Sequence, residues 1–556
     1  MATDAVGQML NGVESHEDVS PARRLAKLLR NEGNTLWTVV IYSVAVALLT
    51  LALPVATQAL VNTIAFGNLF QPLLVLTVVV AGVLVLSGIL QLIRFKVVEM
   101  LQRRVFVQIA SDSVNRLLRA RTDTLELRNG PELVNRFLDV VTLQKAGATL
   151  LVDGLSVAMQ TLAGMILLGL YHPWLLAFDV LLVLALLIVI FPLGAHAIDT
   201  AIKESKAKYA LVAWLEEVAR HTRLFRGQTQ ADWAFERTNE LVAHYLSYRA
   251  VHFRILMRQF GGSLAIQALA SASLLGVGGV LVIQRQLALG QLVAAELVVA
   301  AVVTGIAKIA KHLESYYDLL ASVDKLAALT GLPLESDGTE APSASQVPAG
   351  LHVRMQEFAV TVKPGDRVGI KGNSGAGKSL LVDAICGYRQ PLGCTVEIDG
   401  TDIRHLRLAQ LRLSVELVRG VEVFQGSILE NIRVGRKEIG VQDLQATLEL
   451  LGLWEAIQAL PEGLNTVLTP GGFPLSEGQG QVLMIARAIA GKPRLLILDE
   501  ALDYLMDAEV RERISDVLFQ AATPWTLLVV TSRPELLARC GKILDLPVGT
   551  MQEVGR

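Results

Sequence analysis

Six apolar runs, at residues 36–61, 72–93, 149–170, 174–193, 263–283 and 291–309, constrain this chain more than anything else in it. Each is long enough to cross a hydrocarbon core of about 30 Å as a helix. A backbone in lipid must satisfy its own polar groups, so such runs fold as helices. All six lie before residue 310, in a chain of 556 residues with 52% hydrophobic residues and a mean hydropathy of +0.47. That balance is too apolar for an ordinary soluble protein. Buried helices of a large soluble domain are the competing reading. Six runs confined to one half of the chain favour six membrane spans.

Lys and Arg indicate which connections stay in the cytoplasm. The leader carries Arg23, Arg24, Lys27 and Arg30; the second-to-third connection is basic from Arg94 to Lys145, and the fourth-to-fifth from Lys203 to Arg258. The loop at 62–71 and the turn at 171–173 carry neither residue, and the fifth-to-sixth loop carries only Arg285. Both termini are therefore expected in the cytoplasm. The long connections keep Leu, Val and Ala at every third or fourth position through 105–118 and 210–224, so the spans should continue as helices beyond the membrane. The leader lacks the apolar core and small-residue cleavage site of a secretory signal, and its basic stretch is expected to lie along the lipid surface.

From Lys325 to Gly350 the composition changes, with Pro333, Pro342 and Pro348 among Ser, Gly and acidic residues. The expected organisation is a leader at 1–35, a six-helix membrane domain at 36–325, a linker at 326–350 and an α/β domain at 351–556. In the last, Gly372-Asn373-Ser374-Gly375-Ala376-Gly377-Lys378-Ser379 fits the phosphate-binding pattern G-x-x-x-x-G-K-S at every fixed position. The glycines let backbone N–H groups curl around phosphate oxygens, Lys378 can reach the β- and γ-phosphates, and the Ser379 hydroxyl can ligate Mg²⁺. A helix beginning at Lys378 adds its positive end. ATP and Mg²⁺ are the expected cofactors.

Leu495 to Leu498 reads as a buried strand that ends in Asp499 and Glu500. This is how phosphate-loop ATPases present an Asp to Mg²⁺ and an acid to the attacking water. Asp499 is accordingly assigned to the metal and Glu500 to general base or water positioning. Cys386, Cys394 and Cys540 form no C-x-x-C pair and read as packing residues of a reducing compartment. A net charge of −2 gives no footprint for nucleic acid.

Leu475-Ser476-Glu477-Gly478-Gln479 resembles the signature of ABC transporters, usually L-S-G-G-Q. Phosphate loop, signature and acidic strand stand in the family's order behind six spans. The whole resembles exporter half-transporters, which include lipid flippases, multidrug exporters and type I secretion ATPases. Residues 130–137, Gly130 to Phe137, stand where those exporters carry their first intracellular loop motif. The resemblance implies an α-helical six-span domain followed by an α/β P-loop ATPase with a helical signature subdomain, placed in the cell's inner membrane. It also implies ATP-driven export. Ser476 and the Gly478 amide would meet the γ-phosphate held by a second half-transporter subunit, with a homodimer favoured over a heterodimer. The turns at 122–130 and 220–230 would couple the two domains. Within the family the chain looks closer to type I secretion ATPases, which would add a periplasmic adaptor protein as a partner. The leader, about 35 residues without cysteine, is expected to hold no cysteine peptidase domain.

Four positions depart from the family pattern. Ser532, in Thr531-Ser532-Arg533, stands where a histidine usually contacts the γ-phosphate. Arg419 stands at the position of the glutamine that couples Mg²⁺ to the membrane domain, with Gln425 nearby. Met506 replaces an aspartate, for which Asp503 and Asp507 are candidate substitutes. No aromatic occupies 342–351 to stack on adenine, leaving Phe358 as the candidate. The retained residues imply a working exporter. The lost ones imply an ATP-binding, weakly hydrolysing regulatory half, with a nucleotide-gated channel or receptor as a third reading. Asp179 and Glu296 are charges inside predicted spans, where a carboxylate usually faces a cavity or partner. Glu296, about a turn inside the sixth span, is a candidate contact for a cationic substrate or a proton, with an interfacial, water-reaching position as the competing reading; Asp179 lies similarly near the outer end of the fourth.

Overall fold

The computed structural model describes residues 20–64, 70–128, 130–343, 347–355, 358–391 and 393–546. The chain divides into two units, with the main boundary between Pro333 and Leu334.

The first unit is helical. Helices long and apolar enough to cross a membrane cover Pro21–Asn62, Gln71–Arg119, Glu132–Tyr171, Pro173–Ile190, Gln228–Ile283 and Leu289–Thr330, one for each expected run. Gln228–Ile283 has 56 residues. At 1.5 Å per residue it is about 84 Å long, far beyond a hydrocarbon core of about 30 Å. The expected helical extensions are therefore present. The fourth helix stops at Ile190, short of its apolar run, because Pro192 has no N–H to continue the ladder. Residues 191–196 turn before the next helix begins at Ala197.

Leu168, Leu175, Leu182, Ala270, Leu274, Val298 and Val302 form a buried cluster among the spans. Gly164 lets helix Leu155–Tyr171 close on Leu289–Thr330: a Cβ there would lie 2.8 Å from Val298 Cγ1. Val78, Leu92, Leu181 and Ile283 are exposed, the surface that lipid tails cover. Farther along the helices, Asp139 accepts a hydrogen bond from Tyr209 Oη at 2.8 Å and pairs with Lys325 Nζ at 3.3 Å, joining three helices. Asp179 is buried, and its Oδ2 has no partner among the described residues, whereas Glu296 is exposed.

The second unit contains three sheets. Strands are β1 (Leu351–Met355), β2 (Phe358–Val362), β3 (Arg367–Gly372), β4 (Thr395–Ile398), β5 (Thr401–Asp402), β6 (Val415–Val418), β7 (Gly426–Ser427), β8 (Val467–Leu468), β9 (Leu495–Asp499), β10 (Thr526–Val530) and β11 (Lys542–Leu546). The main sheet is parallel in the order β11-β3-β10-β9-β6; β2-β1-β4-β5 is antiparallel, and β7 pairs with β8. β9 and β10 are buried at every position, as central parallel strands must be. Val353, Val362, Ile370, Val382 and Ile497 share one core between the two larger sheets, and a second core gathers the helices between residues 428 and 490. The stretch expected as a linker is helical through Thr330. From Glu335 it is pinned to the second unit: Arg412 donates to both Glu335 oxygens at 2.8 and 2.9 Å, and Leu408 N donates to Asp337 at 2.8 Å.

Candidate nucleotide-binding site

All five strands of the main sheet end at one edge, and the crevice outside the carboxyl ends is where such sheets take ligands. Registry determines what stands there. Val530 lies opposite both Ile370 and Asp499, and Val418 lies opposite Leu498. One residue farther on, the phosphate loop, Thr531-Ser532, Asp499-Glu500 and Arg419 line the same edge.

β3 runs into the phosphate loop at Gly372, and helix Lys378–Ile385 leaves it. Gly377 caps that helix at φ 88°, a left-handed conformation suited to glycine, and no side chain caps the first turn. Its N–H groups are left for an anion. Ala376 is buried and anchors the loop, while Asn373, Ser374, Gly375 and Ser379 are exposed. Lys378 Nζ folds over the loop, donating to the carbonyls of Gly372 at 2.9 Å and Asn373 at 3.2 Å. These residues fit a nucleotide's phosphates.

Glu500 adopts φ 56°, unusual for a non-glycine residue, at the turn that follows β9. Its N–H donates to Val530 O at 2.9 Å, and its exposed carboxylate has no partner among the described residues. Helix Glu477–Ala490 starts at the signature. Leu475 is buried in the core, and Ser476 and Gln479 cap the helix reciprocally: Gln479 N donates to Ser476 Oγ at 3.3 Å, and Ser476 N to Gln479 Oε1 at 2.9 Å. Glu477 and Gly478 lie in the first turn.

The departures from the family pattern have definite places. Ser532 is exposed at the end of β10. Asp503, a candidate substitute for the missing aspartate, is occupied beside it, accepting from Thr531 Oγ1 at 2.6 Å and Ser532 N at 3.3 Å. Asp507 is occupied too: it caps helix Ala508–Phe519, accepting from Glu509 N and Val510 N. Met506 is exposed, as is Gln425. The side chain of Phe358 lies outside the described residues.

Arg419 is where the site differs most from expectation. Its Nε donates to Asp499 Oδ2 at 2.6 Å, and its Nη2 donates to Asp383 Oδ1 at 2.9 Å and to the Ser379 carbonyl at 3.3 Å. Both carboxylates are buried. Burial alone would pull the guanidinium toward its neutral form, but hydrogen bonds and charge from Asp499 and Asp383 outweigh this and raise its pKa. Asp499 and Ser379 are the right donor types for Mg²⁺. In this arrangement a guanidinium holds one Asp499 oxygen, Oδ2, and contacts the Ser379 carbonyl, so the place beside them that Mg²⁺ would take already carries positive charge, which disfavours the ion there. Sequence reasoning flagged Arg419 only as a missing glutamine and passed over Asp383, which sits four residues beyond Ser379 on the phosphate-loop helix.

Two family models match the chain: the ABC transporter transmembrane region over residues 36–306 and the ABC transporter over 355–503. The chain belongs to the ABC transporters, with the exporter arrangement of membrane and ATP-binding regions in one half-transporter. Among curated relatives, it is 34% identical over 202 residues to the uncharacterized ABC transporter ATP-binding protein YfiC of Bacillus subtilis (strain 168), covering 36% of this chain and 33% of that protein. An ATP-dependent lipid A-core flippase of Thiobacillus denitrificans is 34% identical over 203 residues, 36% of this chain and 35% of the flippase. Leukotoxin export ATP-binding protein LtxB of Aggregatibacter actinomycetemcomitans is 28% identical over 338 residues, 58% and 48% of the two chains. The first two matches span about a third of the relatives' length. A solved bacterial Atm1-family ABC exporter with ATP bound shares the fold, with a TM-score of 0.79 at 20% identity over 94% of this chain and 95% of that one.

Proposed function

We propose that this chain is the half-transporter of an ATP-driven exporter, working as a dimer in which each subunit completes the other's nucleotide site. The observation that carries this reading is the gathering of the phosphate loop, Asp499, Glu500 and Ser532 on one sheet edge, in a chain whose other half holds six candidate spans. ATP phosphates would rest on the N–H groups at Gly377 to Ser379, with Lys378 leaving its loop carbonyls for them. Glu500 would orient and deprotonate the attacking water. Ser476 and Gly478 at the start of their helix would face the γ-phosphate of the partner's nucleotide. A homodimer is the simpler assembly, because one chain carries both halves. The basic connections support a reading with both termini in the cytoplasm, and the exporter arrangement one in the inner membrane. The relatives named above include both a lipid flippase and a leukotoxin exporter.

A second reading is favoured by the Arg419–Asp499 pair: an ATP-binding, slowly hydrolysing half that regulates a more complete partner. Hydrolysis by the purified chain in lipid bilayers, set beside Glu500→Gln, tests both. Steady turnover lost on substitution supports the self-sufficient exporter. Bound ATP without turnover supports the regulatory half. A chain that binds no ATP would overturn both readings.

A further inference from the structure

We propose that Arg419 takes the place of the divalent cation, so that this site holds ATP without Mg²⁺. The inference rests on the reading of residues 372–379 as an ATP site. A phosphate-loop site needs positive charge between the terminal phosphates and the acidic end of β9, since ATP and Asp499 otherwise face each other as like charges. Mg²⁺ ordinarily supplies it. Here a guanidinium is already there, and it is built in rather than loosely placed.

Three contacts hold it. Arg419 follows Val418 at the end of β6, and the β6–β9 register sets Val418 opposite Leu498, so Arg419 and Asp499 emerge side by side. Asp383, buried on the phosphate-loop helix, fixes the other end of the guanidinium, and the Ser379 carbonyl takes a further hydrogen bond. Two buried carboxylates converge on this position; Asp383 also pairs with Arg389 Nε at 3.2 Å, whereas Arg419 is the cation that Asp499 meets among the described residues. Arginine suits that place because its planar fork keeps its charge and satisfies both. Of its nitrogens, Nε and Nη2 are committed, whereas Nη1 has no partner among the described residues. It is left to donate to a phosphate oxygen. A glutamine at 419 would offer no charge and would leave Asp499 to attract a metal ion, while Asp383 keeps Arg389.

Equilibrium dialysis of radiolabelled ATP against the purified full chain, in Mg²⁺ and then in EDTA, tests this. The wild type should bind nearly equally in both. Arg419→Gln should bind like the wild type in Mg²⁺ and lose at least about tenfold in EDTA, the worth of one charge-assisted contact. Asp383→Asn, which loosens the guanidinium while leaving Arg419 and Asp499 in place, should show a smaller loss in the same direction. It keeps the test informative where Arg419→Gln does not fold. Wild-type binding that collapses in EDTA would overturn the proposal. Absence of ATP binding under either condition, with Lys378→Ala behaving the same, would instead overturn the assignment of the nucleotide site.

Discussion

Asp499 is only 4% exposed, and Arg419 supplies the positive partner that keeps such a carboxylate charged. The pairing has an energetic consequence beyond ligand binding. Removing one member of a buried pair strands the other, which is why Arg419→Gln should be rescued by Mg²⁺ in its thermal stability. The cysteines illustrate burial acting in the opposite direction. Desolvation pushes the Cys386 thiol up to about 12 and that of Cys540 to about 11. Only a thiolate reacts, so neither should be alkylated by a maleimide at neutral pH until the chain unfolds. Labelling of Cys386 in the folded protein would contradict its packing. The unfolded thiols titrate near about 8.5, so above that pH the unfolded state binds fewer protons. Stability should then fall with rising pH, and replacing Cys386 with Ala should flatten that fall.

Among the elements, helix contacts in the membrane unit depend on small residues. Gly164→Val would drive a side chain into Val298, with its Cβ 2.8 Å from Cγ1. Overpacking of this kind costs about 1–3 kcal/mol, a drop that thermal unfolding in detergent would register. Gly82→Ala, where no atom lies within 4 Å of the added Cβ, should not lower the unfolding temperature. The six spans were legible from sequence because length and apolarity are local properties, and only the end of the fourth shifted, through Pro192. The phosphate loop was legible for the same reason: each fixed residue answers to one local requirement. The contact of Arg419 with Asp499 was not, since the two are 80 residues apart and meet only through the registry of β6 and β9. Asp383 was hidden differently. An aspartate inside a short helix reads as a solvated residue until the sheet covers it. Asp503 and Asp507 looked interchangeable as substitutes, but each is occupied, one holding the end of β10 and the other capping a helix.

At the scale of the whole molecule, membership in the ABC transporters sets the arrangement, and the residues at the sheet edge set how the energy is released. Glu500 has no side-chain partner among the described residues, the histidine position holds Ser532, and the glutamine position holds Arg419, paired with Asp499. If Arg419 replaces the divalent cation as proposed, such a site would bind nucleotide firmly and turn it over slowly. The measurement that tests this account most directly is steady-state ATP hydrolysis by the purified chain in lipid bilayers, titrated with Mg²⁺, wild type against Arg419→Gln. Slow wild-type turnover that hardly responds to Mg²⁺, with faster and Mg²⁺-saturable turnover in Arg419→Gln, is the predicted result. Wild-type turnover that rises and saturates with Mg²⁺, and is lost in Arg419→Gln, would contradict it.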